Sequence, residues 1–158
     1  MGKSAAEQSG VAGIGSRRQA PFFARVRAGR IVEVCIRRLA DLGEVESLNA
    51  EVMASIRRAG PGAVICADHR LVGPLSPEVV DGWARGMRGA NSGIARGGLL
   101  LDPANTMFNL QVERVVRCAW NPSRRLFADV EALRDWVGAA LTEPERTALR
   151  EVFSDDGP

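Results

Sequence analysis

After an opening pair of alternating segments, the chain switches strictly between short apolar runs and amphipathic helical periods. That alternation constrains its fold more than any motif. AVICA (63–67) is a continuous apolar run, as expected of a central strand covered on both faces. EVESLNAEVMASIRRAG (44–60) before it places Val45, Leu48, Val52 and Ile56 on one helical face, and Gly60-Pro61-Gly62 ends the period. SPEVVDGWARGMRG (76–89) after it opens with Ser76 at an N-cap, Pro77 in the first helical position and Glu78 in the first turn, with Val79, Val80, Trp83 and Met87 as its buried stripe. GIARGGLLL (93–101) predicts a strand in which Gly97-Gly98 marks a bulge or a close approach.

The pattern continues to the C-terminus. Asp102-Pro103 is expected to open a helix running to about residue 119. Its apolar residues Met107, Leu110, Val112, Val115, Val116 and Cys118 cover more than half its surface, which predicts a well-buried helix. RRLFA (124–128) predicts a short strand, and Asp129 caps VEALRDWVGAAL with Val130, Leu133, Trp136, Val137 and Leu141 inward. Thr142 and Glu145 form a capping box around Pro144 for a last helix ending near Phe153. At the start, FFARVRA (22–28) and IVEVCIR (31–37) alternate and join across Gly29-Arg30 as a hairpin, with Arg25 and Arg27 on one face and Val26 on the other.

Alternation of this kind requires crossover connections. The expected fold is α/β: a mostly parallel or mixed five-stranded sheet with an N-terminal β-hairpin and crossover helices, one domain over 21–153. Residues 1–20, rich in Gly, Ser and Ala without a period, and residues 154–158 are expected to be tails. Gly13 and Gly15 lack a preceding strand and a third glycine, so they make no dinucleotide fingerprint.

Composition narrows the class. Apolar residues make up 46% and charged residues 25%, ordinary for a globular chain, while Tyr is absent, so the core must be chiefly aliphatic. Residues 1–40 carry eight cations against Glu7 and Glu33, a basic end that suits nucleic acid, anionic lipid or an acidic protein, or else a solvated tail plus an arginine-decorated strand. No aromatic residues interleave with the arginines, which argues against specific nucleic-acid binding. Cys35, Cys66 and Cys118 are far apart, odd in number and set among apolar residues, as reduced thiols are. No run approaches the ~20 apolar residues of a membrane span, and the N-terminus lacks a signal-peptide core. The expected location is the cytoplasm.

Chemistry, if present, belongs beyond the carboxyl ends of the strands. There CADHRLVGPLSPEVV (66–80) holds the single histidine, His69, between Asp68 and Arg70. A histidine beside an aspartate suggests general acid–base work, but neighbours on a strand point to opposite faces, and short polar residues at strand ends commonly satisfy loop backbone. No GxSxG, CxxC or ligand spacing supports a nucleophile or a metal, so no catalytic residue, metal or cofactor is expected. Ser76 is explained by its cap, and phosphorylation there would add an anion at a helix N-terminus beside Glu78 and Asp81. Trp120, among Arg114, Arg117, Arg124 and Arg125, either anchors a protein contact or packs onto the sheet.

The element order, together with AVICADHR for the central strand, LSPEVV for the following helix start and RRLFADVEALRDWV for the last strand and helix, resembles the STAS family, the SpoIIAA-like anti-sigma-factor antagonists, over residues 22–141. In that family the loop after the central strand carries an Asp-Ser-x-Gly-like motif whose serine or threonine is phosphorylated. Ser76 falls in place here, without the acidic residue before it or the glycine after it. The resemblance implies a non-enzymatic regulatory interaction domain. Its protein partner, or a second copy of the chain, would dock on the loop after the central strand, the helix that follows it and the arginine-rich hairpin, with Asp68, His69, Arg70, Ser76, Glu78 and Trp83 as contact residues. The alternative is a small-molecule or lipid-binding domain with a pocket between helix 104–119 and the sheet.

Overall fold

The structure, a computed structural model, describes residues 20–153. The tails expected at 1–20 and 154–158 lie outside the described residues, except for Ala20. Five strands form one sheet in the order β1-β2-β3-β4-β5: β1 Phe22–Ala28, β2 Ile31–Ile36, β3 Ala63–Asp68, β4 Ile94–Leu100 and β5 Arg124–Phe127. β1 pairs antiparallel to β2, and all other pairs are parallel. The helices are α1 Leu42–Ala59, α2 Pro77–Gly89, α3 Thr106–Ala119, α4 Val130–Gly138 and α5 Glu143–Leu149. The sheet is therefore mixed, as the hairpin followed by crossovers requires.

Consecutive parallel strands laid side by side, each joined by a crossover of one hand, put their helices on one face. Val32, Val34, Ile36, Ala63, Ala67 and Leu99 accordingly pack with Val45 and Leu48 of α1, Trp83 of α2 and Phe108 and Val112 of α3. The other face carries Ile31, Val64, Cys66 and Leu100 against Leu133 and Val137 of α4 and Leu149 of α5. β3 lies at the centre and is covered on both sides, which is why AVICA reads as unbroken apolar sequence.

The termini follow local chemistry. The hairpin turns at Gly29, whose φ of +51° suits glycine. α1 starts two residues before the expected boundary, because Asp41 accepts from the Glu44 backbone N–H at 2.9 Å and Glu44 accepts from the Ala40 N–H. α3 starts later than Asp102-Pro103 suggested. Asp102 closes a turn by accepting from the Ala104 N–H, and the helix begins only at Thr106. At Gly98 the expectation of a close approach is the correct half of the pair: a Cβ there would lie 2.8 Å from Leu133 Cγ. The irregularity in β3–β4 pairing comes earlier, between the Ala63–Ile94 and Val64–Arg96 partners.

Arg25 and Arg27 do not form a free basic face. Arg25 Nε donates to Glu33 at 2.8 Å across the hairpin, and Arg27 Nη2 donates to Glu151 at 3.2 Å. These two hairpin arginines are met from within the chain. No described helix is long and apolar enough to cross a membrane.

Candidate docking surface and cavity beside the β3–α2 joint

The joint separates its polar residues. Asp68 and Arg70 pair with each other: the guanidinium donates from Nε at 3.0 Å and from Nη2 at 2.7 Å, and the Arg70 backbone N–H adds a third bond at 3.1 Å. His69 turns away, as alternation demands. It is 1% exposed. Its N–H donates to the Leu100 carbonyl and its carbonyl accepts from the Val72 N–H. The ring meets Trp83 edge-on, with centroids 5.2 Å apart, and Trp83 in turn lies nearly parallel to Phe108. Burial pushes the imidazole pKa down to about 4, against the opposing pull of the Asp68 charge. The Nδ1 atom is buried without a hydrogen-bond partner. Asp68 and His69 therefore form no acid–base dyad. Among the described residues, no three His, Cys, Asp or Glu side chains gather as a metal-binding group.

The six contact residues expected from sequence divide accordingly. His69 and Trp83 (3% exposed) are core and cannot reach a partner in this conformation. Trp83 is buried because α2 is flanked by α1 and α3 as well as lying on the sheet. Asp68 and Arg70 are half-buried and face each other. Ser76 and Glu78 are exposed, and Ser76 Oγ accepts from the Val79 N–H at 3.4 Å as the N-cap of α2.

The exposed apolar surface lies elsewhere. Among the described residues, Leu71, Met107, Leu110 and Trp120 are the large hydrophobic side chains left in solvent, at 61%, 60%, 58% and 81%. Three belong to α3 or its end, and Leu71 belongs to the loop fastened to the start of α3. Asn105 Nδ2 donates to the Val72 carbonyl, and Gln111 makes a reciprocal pair with the Leu75 N–H and carbonyl at 2.8 and 2.7 Å. The expectation of a well-buried α3 is thus corrected. Its inward face is Phe108, Val112, Val115 and Ala119, and the opposite face keeps Met107 and Leu110 beside Arg114 and Arg117. A strict helical period anchored on Phe108 separates these two sets, whereas counting apolar residues merges them. Trp120 does not pack onto the sheet. It ends α3 in the left-handed conformation at φ 56°, ψ 42°, which glycine ordinarily occupies.

A cavity of about 60 Å³ lies between the sheet and helices α1 and α2. No residue of α3 lines it, so it is distinct from the pocket expected between helix 104–119 and the sheet. Its walls are mainly apolar, with His69, Asn49 and Arg124 as polar members. Arg124 is 9% exposed. It donates to Asn91 Oδ1 and, from Nη2 at 2.8 Å, to the Met87 carbonyl. Burial lowers its pKa to about 10. Strand alternation sends Arg124 inward and stacks Arg125 over Trp136 on the other face, at 5.0 Å. Cys35 and Cys66 are buried and Cys118 is half-buried.

Comparison of the chain with protein-family models, curated proteins and solved structures returns no match.

Proposed function

We propose that this is a regulatory protein-interaction domain that docks a partner on the outer face of α3 and the loop 69–76 fastened to it. The observation that carries this reading is the placing of Leu71, Met107, Leu110 and Trp120, the four large exposed hydrophobics among the described residues, on one helix and its adjoining loop. Met107, Leu110, Arg114 and Arg117 follow i, i+3, i+7, i+10 spacing, the stripe by which one helix meets another. Trp and Arg are the residue types that most often dominate binding energy at interfaces. Arg114 is paired only at the surface, with Asp81 at 3.3 Å, so an acidic partner group can compete for it.

The element order that carries the resemblance to the STAS family supports the same class of function, and the loop after β3 lies at the rim of this surface. Ser76 is exposed there, and in this reading phosphate on Ser76 adjusts the contact by adding negative charge beside Glu78 and Asp81. A photo-crosslinking residue in place of Leu110, with Asp135 on the opposite layer as control, tests the proposal in the native lysate. The expected result is one protein species crosslinked from position 110 and not from 135, and lost when Met107→Asp is added. Equal labelling from both positions, or none from 110, refutes it.

A further inference from the structure

We propose that the cavity between α1, α2 and the sheet is a binding site for a short aliphatic carboxylate, with its anionic end on Arg124 and its chain over Ile65 and Gly97. Four observations carry this independently of the docking surface.

The first is the space itself. Ile65 stands mid-strand in the central strand under the helices, yet it stays only half-buried between buried neighbours. Its parallel partner is Gly97. A glycine inside a strand forgoes packing and marks a close approach by backbone or ligand. Here the nearest atom a Cβ would meet is the flexible Arg124 side chain at 3.3 Å, with Ile65 and Ile94 beyond 3.7 Å. No helix atom occupies the position.

The second is an uncompensated charge. Arg124 is buried, and its described partners are one amide oxygen and one carbonyl, both neutral. Two of its five N–H donors are met. A buried guanidinium ordinarily has a carboxylate beside it, and no described acidic side chain supplies one. Register places Arg124 level with Gly97, so an anion entering the cavity finds it at that end.

The third is His69. It lines the same cavity four residues beyond Ile65, about 13 Å along the strand, and its buried Nδ1 has no partner. Buried polar atoms left unmatched are uncommon and need an account. Polar groups set into an otherwise apolar wall, one of them charged, suit an amphipathic occupant rather than a dry packing defect.

The fourth is size and compliance. At about 60 Å³ the cavity is well under the roughly 150 Å³ that admits benzene in an engineered core. That favours an acid of two to four carbons. Met53 and Met87 line it, and unbranched thioether side chains adjust to a bound molecule at low cost.

The test uses the full chain with acetate, propanoate and butanoate, and with the matching primary alcohols as neutral controls. Thermal denaturation and NMR shifts of the His69 ring, the Trp83 indole and the Gly97 amide are the readouts. The acids are expected to raise the midpoint and move these three resonances, and the alcohols to do neither. Arg124→Gln should weaken binding about tenfold or more. Since that variant disturbs a buried residue, Gly97→Ala provides the second arm. Its methyl narrows the cavity, so butanoate binding should fall while the unliganded midpoint holds or rises. No shift with any acid, equal effects of acids and alcohols, or unchanged butanoate binding in Gly97→Ala overturns the proposal.

Discussion

Arg30 and Glu145 stand 115 residues apart in the chain and meet in a two-point ion pair, Nη2 to Oε2 at 2.8 Å and Nε to Oε1 at 3.1 Å. The same carboxylate accepts from the Arg30 backbone N–H at the hairpin turn and from the N–H and hydroxyl of Thr142 at the start of α5. Gly29 leaves room for it, since a Cβ there would come within 2.6 Å of Glu145 Oε1. One side chain thus caps the last helix and ties it to the first hairpin.

That tie predicts a specific acid sensitivity. The Arg30 hydrogen bond, with help from the Thr142 and Arg30 backbone N–H groups, holds the Glu145 carboxyl down to about 2. A carboxyl depressed in the folded state stabilises above its unfolded pKa and loses that contribution as pH falls through the folded one. The loss should therefore run from about pH 4.5 to about pH 2. Glu145→Gln should lower stability at pH 7 by about 2 kcal/mol and flatten this limb, as read from urea midpoints across pH.

His69 predicts a separate limb at higher pH. Its folded pKa of about 4 lies below the ordinary histidine value of 6.5, so the unfolded chain takes up the proton first. The penalty is absent above about pH 6.5 and grows as pH falls toward 4, by roughly 1.4 kcal/mol per unit. His69→Phe removes both the titration and the unmatched Nδ1. Stability in this variant should be flat between pH 6.5 and 4.5, and a slope equal to that of the parent chain would refute the assignment.

The residues that carry these two effects show what sequence alone can disclose. Glu145 was legible as the third residue of a capping box, because caps are local and have a fixed spacing. Its partner Arg30 was not, because the contact spans nearly the whole chain. Ser76 and Asp129 were legible as caps for the same local reason, and the five strands were legible because burial on one or two faces writes a period into the chain. The direction of His69 followed from strand alternation, but its depth did not. Depth depends on α2 and α3 closing over the sheet end with Trp83 and Phe108, a packing fact with no short-range signature. The exposed face of α3 is hidden from a count of apolar residues, because such a count carries no helical phase.

The two adjacent glycines of β4 should respond oppositely. Gly98 faces α4, and a Cβ there meets Leu133 at 2.8 Å and Val137 at 3.1 Å. Gly98→Val must push the helix off the sheet and should cost about 1–3 kcal/mol. Gly97→Ala, one residue away on the cavity face, should cost little or stabilise. Thermal melts of the two variants, followed by circular dichroism, separate a close approach from a void.

Trp120 joins strain to exposure. A non-glycine residue in the left-handed region costs about 1–2 kcal/mol, and an 81% exposed indole regains little of that by burial. Trp120→Gly relieves the backbone but adds freedom to the unfolded chain, so the net expectation is a gain of about 0.5–1 kcal/mol. If the outer face of α3 is the docking surface, the same substitution should weaken partner capture by tenfold or more, since a central Trp commonly contributes over 2 kcal/mol at an interface. Leu110→Asp should weaken capture similarly with a stability change within about 0.5 kcal/mol, whereas Trp83→Ala should unsettle the core by about 3–5 kcal/mol. Stability and crosslinking yield measured on all three variants decide the matter. A Trp120→Gly chain that is more stable and still fully captured would place the interface elsewhere and leave the strain at Trp120 without a role in binding.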